Sequence, residues 1–260
     1  MTARILIIAG SDSGGGAGIQ ADIKTVTMLG GHAMTAVTAI TAQNTVGVQA
    51  VHSVPTEMVI AQIDSVLSDI GVDAVKIGMI GSAQTANAVA DRLQNLDVPI
   101  VFDPVMVATS GAALADAETI AAFERLMAIA SLVTPNLPEL AALGGRDAVL
   151  SFGCHVLEKG GHAEGDRVHD QLWSPTGLVR DLEGKKFDTA DTHGTGCTLA
   201  SALACRLGQG MNISDAFADA VRFVRLAILE APGLGKGHGP LGQQAVRDFW
   251  TADVGDENSA

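Results

Sequence analysis

The sequence predicts an α/β fold in which a mainly parallel sheet lies between helical layers on both faces. Short runs rich in β-branched residues alternate with helix-like segments, and this order is typical of a parallel sheet covered by helices. Several of the runs are apolar throughout, as strands covered on both faces should be. With 260 residues and 47% hydrophobic content, the chain suits one large domain better than two small ones. We therefore expect a single domain over residues 1–260, in which about 250–260 form a flexible tail.

The alternation can be followed along the whole chain. Strands are predicted at 5–9, 34–41, 74–77, 100–103, 132–134 and 155–159. Helices are predicted at about 17–29, 56–70, 83–93, 116–130 and 137–143, and then consecutively at 197–207 and 213–229. Ligands of such folds collect beyond the carboxyl ends of the strands. The residues that follow each apolar run are therefore the first candidates for a functional site.

The charge of the chain limits its partners. Sixteen basic residues against 29 acidic ones give a net charge of -13, which repels nucleic acid and anionic membranes, so we expect neither as a partner. The apolar runs are too short to span a bilayer and the first residues lack a signal-type pattern, so we expect a cytoplasmic protein. Cys154, Cys197 and Cys205 form no paired or CxxC pattern, which favours neither a disulfide scaffold nor a zinc site.

A first glycine-rich motif follows the first predicted strand. Residues 13–18 read Ser-Gly-Gly-Gly-Ala-Gly and open a helix, where glycines permit close approach of a ligand and the helix N-terminus offers free N–H groups. Gly16, Gly18 and Ala21 match a dinucleotide-binding fingerprint, but no acidic residue occurs between Ile23 and Thr56 to bind a ribose. The motif is therefore a ligand-binding loop or simply a tight strand-to-helix turn.

A second glycine-rich motif covers residues 191–198, Asp-Thr-His-Gly-Thr-Gly-Cys-Thr, and leads into a predicted helix. Successive backbone N–H groups at such a helix start form an anion hole suited to a transferring phosphoryl group. Cys197 lies in the first helical turn, where the helix dipole is expected to lower the thiol pKa, so that a thiolate could accept a proton from a substrate hydroxyl. The alternative is that Cys197 is a small buried core residue.

Carboxylates at two predicted strand ends are candidates for metal or phosphate chemistry. Asn136 and Glu139 have the spacing of a capping box, which is the structural alternative for this pair. In the functional interpretation, Glu139 faces the rim and holds magnesium through water, because that ion prefers oxygen ligands. Asp103 ends a buried strand, where a charge is costly unless it has a function. The chain has no P-loop motif and no protein-kinase signature.

Taken together, these motifs resemble the ribokinase superfamily and, within it, the branch of hydroxymethylpyrimidine and phosphomethylpyrimidine kinases of thiamine biosynthesis. The resemblance extends over nearly the whole chain. It rests on residues 8–22, 42–45, 76–79, 103–106, 134–139, 159–162 and 192–198.

The resemblance implies a three-layer ribokinase-like fold, ATP and Mg²⁺ as cofactors, and commonly a homodimer. It implies phosphorylation of hydroxymethylpyrimidine and of its monophosphate. Gln43 would bind the pyrimidine, surrounded by Gly10, Ala17, Asp22, Met79 and Val105. Gly194, Thr195 and Gly196 would form the anion hole, and Cys197 stands where many members carry a catalytic aspartate. Asp103, Asn136 and Lys159 would serve the nucleotide, and Glu139 the metal.

Two departures from the family pattern and two rival interpretations accompany this expectation. Thr109 replaces a usual lysine of the flap, and the segment 143–155 is shorter than usual. A pyridoxal or pyridoxine kinase of the same fold is the nearest rival. Relatives with both activities tend to carry a flap cysteine where this chain has Ala108, which favours the pyrimidine. A binding module without catalysis is the other rival, but the retained anion hole, candidate base and candidate metal ligand argue against it.

Overall fold

The computed structural model describes residues 2–108, 111–160 and 166–246. In these ranges nine strands form one sheet in the order β3-β2-β1-β4-β5-β6-β7-β8-β9. Their bounds are Arg4–Asp12 (β1), His32–Asn44 (β2), Gly47–Ser53 (β3), Ala74–Ile77 (β4), Ile100–Phe102 (β5), Leu132–Val133 (β6), His155–Glu158 (β7), Arg167–Ser174 (β8) and Gly177–Lys185 (β9).

The sheet is parallel at its centre and antiparallel at both edges. β2, β1, β4, β5, β6 and β7 pair in parallel, and these are the six predicted strands. β3 adds an antiparallel edge next to β2, while β8 and β9 extend the other edge. The three edge strands were not predicted, because they are largely solvent-exposed and lack the continuous apolar run on which the prediction relied.

The helices of the described ranges agree closely with the prediction. Their bounds are Gly18–Met28 (α1), Thr56–Asp69 (α2), Ala83–Leu93 (α3), Ala117–Met127 (α4), Leu137–Ala142 (α5), Arg146–Leu150 (α6), Thr195–Gly208 (α7) and Ile213–Leu229 (α8), followed by a 3₁₀ turn at Gln243–Ala245. Ser82 and Asn212 cap α3 and α8 by accepting backbone N–H groups. Only α6 was not predicted. It lies in the short 143–155 segment.

Two hydrophobic cores lie on opposite faces of the sheet, and β1 supplies both. Ile5 and Ile7 point into a core formed with α1, α7 and α8. Leu6 and Ile8 point into a second core formed with α2, α3 and α4. This alternation follows from the two-residue period of a strand. The predicted arrangement of helices on both faces of a mainly parallel sheet is therefore confirmed.

Some sequence features cannot be located. The residues outside the described ranges include Thr109 of the flap, Gly161 and His162 of the family motif at 159–162, and the tail 250–260. Within the ranges that are described, no helix combines the length and the apolar character needed to cross a membrane.

Candidate active site

Two glycine-rich loops meet at the carboxyl end of the sheet. The first loop is defined by residues 13–18, between β1 and α1, and the second by residues 192–196, at the start of α7. Gly194 has a φ of 90°, and a Cβ atom there would lie 1.9 Å from the carbonyl oxygen of Gly16. A Cβ atom on Gly16 would lie 2.4 Å from Cδ2 of His193. Gly194 therefore packs against the backbone of the first loop and Gly16 against the imidazole of His193, and both contacts require glycine.

The carboxylate of Asp12 holds the two loops together. Its Oδ1 atom accepts the backbone N–H of Gly14 at 2.8 Å, and Oδ2 accepts those of Gly16 at 3.0 Å and Ala17 at 2.8 Å. Nε2 of His193, in the second loop, lies 2.9 Å from the same Oδ2 atom. Burial acts to raise the pKa of Asp12, but the hydrogen bonds from His193, Ala17 and Gly14 outweigh it and the pKa is lowered.

Asp12 and His193 were not singled out from the sequence. The argument applied to Asp103, a carboxylate at the end of a buried strand, also fits Asp12, which is only 3% exposed. No comparable local signal exists for His193, because its partner lies 181 positions away in the chain.

The predicted pyrimidine-binding residues lie around the first loop. Gln43 is half-buried at the end of β2, and its backbone N–H donates to Oγ of Ser13 at 2.8 Å. A Cβ atom on Gly10 would lie 3.0 Å from the sulfur of Met79, so these two residues are adjacent. Ala17 is connected to these residues because its backbone N–H donates to Asp12. The structure thus brings together four of the predicted residues, namely Gln43, Gly10, Met79 and Ala17.

Val105 and Asp22 occupy different surroundings. Val105 follows β5 and its backbone N–H donates to the carbonyl oxygen of Asp103 at 2.8 Å. The side chain of Asp22 is completely buried, where its carboxylate pairs with Lys76 at 2.9 Å and accepts a 2.6 Å hydrogen bond from Ser201. Asp22 therefore lies in the interior, where α1, α7 and β4 meet. Burial acts to lower the pKa of Lys76, but Asp22, Cys197 and Asp103 together raise it.

Cys197 is the third residue of α7 and is half-buried. Burial raises the pKa of its thiol to about 11, because the opposing effects of Lys76 and the Gly18 backbone are smaller and Asp22 adds to the rise. The expectation that the helix dipole lowers this pKa was wrong, since desolvation of a thiolate outweighs a dipole effect of modest size. At pH 7 the thiol is therefore almost entirely protonated.

A second cluster of charges lies on the other side of the second loop. Nζ of Lys159 is 2.8 Å from Oδ1 of Asp103, and Oγ1 of Thr134 donates to the same oxygen at 3.0 Å. A Cβ atom on Gly196 would lie 3.3 Å from Nζ of Lys159 and 3.6 Å from Oδ2 of Asp103. The first turn of α7 therefore opens next to a fixed cation, which supports the anion hole predicted from the sequence.

Asn136 and Glu139 form the capping box that the sequence left as an alternative. Oδ1 of Asn136 accepts the backbone N–H of Glu139 at 2.9 Å, and Oε2 of Glu139 accepts the backbone N–H of Asn136 at 2.8 Å. The same Oε2 atom lies 3.9 Å from Nζ of Lys159. Burial and the nearby Asp103 raise the pKa of Glu139 although Lys159 opposes them. Glu139 can therefore cap α5 and at the same time lie beside the charged cluster of Lys159 and Asp103.

Comparison with known proteins agrees with this geometry. The family model described as phosphomethylpyrimidine kinase matches residues 12–242 of the chain. The chain belongs to the phosphomethylpyrimidine kinase family.

Individual members and solved structures resemble the chain over most of its length. A hydroxymethylpyrimidine/phosphomethylpyrimidine kinase of Rhizobium meliloti is 46% identical, covering 93% of this chain and 97% of the relative. A thiamine biosynthesis bifunctional protein of Geobacter sulfurreducens is also 46% identical, but the chain spans only 54% of its length. The structure of an ADP complex of Bacillus subtilis pyridoxal kinase has a TM-score of 0.86 and 31% identity, covering 95% and 99% of the two chains.

For a member of the phosphomethylpyrimidine kinase family, the site provides two kinds of chemistry. The backbone N–H groups at the start of α7, together with Lys159, can stabilise negative charge on a transferring phosphoryl group. Gln43, Gly10 and Met79 provide a polar amide beside apolar surface, which suits a small heteroaromatic ring. The two parts meet where the first loop contacts the second.

The thiol pKa values give a direct test of the site's electrostatics. Cys154, Cys197 and Cys205 all have a pKa raised to about 11, but only Cys197 is partly accessible. We expect iodoacetamide to modify Cys197 before the other two, with a rate that rises about tenfold per pH unit between pH 7 and 10. Peptide mass spectrometry of timed samples measures all three rates. Rapid, pH-independent modification of Cys197 at neutral pH would show that it is a thiolate.

The buried Lys76–Asp22 pair predicts a specific pattern of stability. Lys76→Met leaves the Asp22 carboxylate buried without its cation, and we expect this to lower the free energy of unfolding by about 3–5 kcal/mol. Lys76→Met combined with Asp22→Asn removes both charges and should recover most of the loss, because an amide still accepts from Ser201. Urea unfolding followed by circular dichroism measures both variants. A double variant no more stable than the single one would contradict the account.

Proposed function

We propose that the chain transfers the γ-phosphoryl group of ATP to the hydroxymethyl group of 4-amino-5-hydroxymethyl-2-methylpyrimidine, and then phosphorylates the monophosphate to the diphosphate for thiamine biosynthesis. The observation that carries this proposal is the contact between the two glycine loops, which places Gln43 beside the start of α7. The Rhizobium relative is named as a kinase of both hydroxymethylpyrimidine and phosphomethylpyrimidine, which supports the same two steps.

Positioning and charge stabilisation account for most of the proposed catalysis. Phosphoryl transfer passes through a loose transition state whose negative charge is spread over the phosphoryl oxygens, so little covalent chemistry is required of the protein. The amides of Gly194, Thr195 and Gly196 and the ammonium group of Lys159 would stabilise that charge. The ADP complex of the pyridoxal kinase supports a nucleotide as the donor.

The substrate hydroxyl loses its proton as the new P–O bond forms, and we propose Cys197 as the acceptor. With a pKa of about 11, its thiolate is scarce at neutral pH but strongly basic once formed. Lys76, which acts to lower this pKa, favours the thiolate. Since a loose transition state needs proton removal only late, a base with a small ionised fraction is compatible with turnover.

We further propose that Mg²⁺ accompanies the nucleotide, held near Asp103 and Glu139, where it would supply positive charge that offsets the charge of the phosphates. Asp103 and Glu139 flank Lys159 and supply the carboxylate oxygens that this ion prefers. Among the described residues no three His, Cys, Asp or Glu side chains form a metal cluster. Mg²⁺ commonly takes only one or two carboxylates and completes its ligands with phosphate oxygens and water, so the residues present fit the ion.

A pyridoxal or pyridoxine kinase is the second candidate, because the Bacillus subtilis pyridoxal kinase has a closely similar structure. The identity to that enzyme is 31%, against 46% to the Rhizobium hydroxymethylpyrimidine/phosphomethylpyrimidine kinase. Ala108, which stands where dual-activity relatives tend to carry a cysteine, also favours the pyrimidine.

A substrate panel with product mass determination tests the function. We expect ATP-dependent phosphorylation of hydroxymethylpyrimidine, first to the monophosphate and then to the diphosphate. We expect kcat/KM for pyridoxal and pyridoxine to be at least about 10²-fold lower, since a site built for one hydrogen-bonding edge rejects a ring that leaves its polar groups unpaired. Preferred turnover of pyridoxal would establish the second candidate instead, and phosphorylation of none of the three would contradict both.

The role of Glu139 is tested by its magnesium dependence. Glu139→Gln keeps an oxygen that can accept the Asn136 N–H, so the capping box and the fold should be retained. If the carboxylate holds Mg²⁺ through water, kcat should fall and the Mg²⁺ concentration for half-maximal rate should rise about tenfold or more. Asp116→Asn, which makes the same acid-to-amide change at the cap of α4, where the side chain accepts the N–H of Thr119, is the matched control. Loss of thermal stability in Glu139→Gln with an unchanged Mg²⁺ requirement would leave capping as its only role.

We also propose a cytoplasmic homodimer that pairs through the β2–β3 hairpin. Ile40 and Val51 on this hairpin are 54% and 44% exposed, and exposed hydrophobic groups on a sheet edge favour association. Sedimentation velocity should show a dimer that Ile40→Lys dissociates. Leu178→Lys, at an equally exposed position on β9, is the control and should leave the dimer intact. A monomer in the parent protein would contradict the proposal.

A further inference from the structure

The amide of Gln43 lies between the side chains of His193 and Thr41. Its nitrogen is placed 3.1 Å from Nε2 of His193, and its oxygen 3.2 Å from Oγ1 of Thr41. His193 in turn contacts Asp12 at 2.9 Å. We propose that His193, held by Asp12, is a specificity-determining positioning residue that fixes which end of the Gln43 amide faces the second glycine loop, and so selects a ring with an amino group beside a ring nitrogen.

The hydrogen bonds of Asp12 determine which ring nitrogen of His193 carries a hydrogen. Asp12 accepts three backbone N–H groups and its pKa is lowered, so it is an ionised carboxylate. A carboxylate only accepts hydrogen bonds. Nε2 of His193 must therefore be the ring nitrogen that carries a hydrogen and donates it to Asp12. A protonated Nε2 atom has no lone pair with which to accept from an amide nitrogen.

The hydrogen-bonding groups of Thr41 and His193 determine the orientation of the Gln43 amide. Oγ1 of Thr41 donates its single hydrogen to the carbonyl oxygen of Ser11 at 2.9 Å, so it can only accept from Gln43. If the amide nitrogen of Gln43 faced His193, two N–H donors would face each other there. The amide oxygen would then face the hydroxyl oxygen of Thr41, which is also an acceptor. A half-turn of the amide exchanges oxygen and nitrogen. The nitrogen then donates to Thr41, and the oxygen faces the single Nε2–H of His193, which it shares with the carboxylate of Asp12. The oxygen therefore faces His193 and the nitrogen faces Thr41.

Packing leaves the His193 ring little freedom to change this assignment. A Cβ atom on Gly16 would lie 2.4 Å from its Cδ2 atom, and the backbone of His193 pairs with Pro240 through an isolated bridge. The ring is therefore held on one side by the first loop and through its backbone by residues near the C-terminus. Because this ring position is held, the single Nε2–H that Asp12 and the Gln43 oxygen share keeps its place relative to both acceptors.

The fixed amide has a consequence for the substrate, and this step rests on the proposed function. One lone pair of the oxygen and one hydrogen of the nitrogen remain for a ligand, with the oxygen nearer to Gly194 and the anion hole. In hydroxymethylpyrimidine the amino group is adjacent to the reacting hydroxymethyl group, and the ring nitrogen is one atom further away. The oxygen thus meets the amino donor and the nitrogen meets the ring acceptor. A pyrimidin-4-one presents the reverse pattern, an acceptor followed by a donor.

The experiment compares kcat/KM for hydroxymethylpyrimidine with that for 5-hydroxymethyl-2-methylpyrimidin-4-one. In the parent protein we expect a ratio of about 10² or more in favour of the amino compound, because the pyrimidinone would leave buried polar groups unpaired. In His193→Leu the amide can turn, so the ratio should fall about tenfold or more, mainly through KM. His193→Gln retains N–H groups for both Asp12 and Gln43 and should keep the ratio within about threefold. The KM for ATP should not follow these changes.

Each outcome has a definite meaning. If the parent protein phosphorylates neither pyrimidine, the proposed function fails. If it prefers the amino compound but His193→Leu, folded by its thermal transition, keeps the ratio, the positioning role of His193 is wrong while the function stands. Should His193→Leu not fold, Thr41→Val removes the acceptor at the other end of the amide and must itself lower the ratio. An unchanged ratio in that variant, or a ratio lost in His193→Gln, would equally overturn the proposal.

Discussion

The site depends on one buried carboxylate, that of Asp12. Asp12 ends β1, and its carboxylate accepts hydrogen bonds from the backbone N–H groups of the first glycine loop. It also accepts a hydrogen bond from the ring N–H of His193 in the second loop. Without this acceptor, three backbone N–H groups and an imidazole would lose a shared partner, and hydrogen bonds to a charged acceptor are the stronger ones. The close contact of Gly16 with Gly194 is possible because both loops are hydrogen-bonded to the carboxylate of Asp12.

Buried charges at the site occur as matched pairs, although the chain as a whole carries a net charge of -13. Asp22 pairs with Lys76 and Asp103 with Lys159, and each pairing offsets the cost of removing a carboxylate from water. The two lysines place positive charge beneath and beside the start of α7. An acidic protein can in this way bind a polyphosphate locally while its surface repels polyanions in general.

The same environment explains the protonation of Cys197. A thiolate at a helix start gains from the dipole and from Lys76, but it loses hydration and lies near the carboxylates of Asp22 and Asp103. The balance keeps the thiol neutral at physiological pH, so the anion hole and substrate positioning carry more of the proposed catalysis than the base does. Neutrality also protects an accessible cysteine from oxidation, which requires the thiolate.

Sequence reasoning located the central strands, most of the helices and the rim where the site lies, because these follow from apolar periodicity and from residues next to strand ends. It identified Gln43, Asp103, Lys159 and Gly194 as neighbours of one site through the family resemblance. It missed the contact of His193 with Asp12, which joins positions 181 residues apart, and the edge strand β9, which has no apolar run. The thiol pKa of Cys197 depends on burial by distant segments, which local sequence does not reveal.

Hydrogen exchange of the Asp12→Asn variant, followed by mass spectrometry beside steady-state turnover, tests most directly whether Asp12 unites the two loops. The asparagine keeps the size of the side chain but loses the charge and one acceptor oxygen. The account predicts that amide exchange accelerates in both loops, 13–18 and 192–196, while β1 and β4 remain protected, and that kcat falls by about tenfold or more because the anion hole is no longer fixed relative to the substrate. Faster exchange in residues 13–18 alone, with the second loop and turnover unchanged, would contradict it.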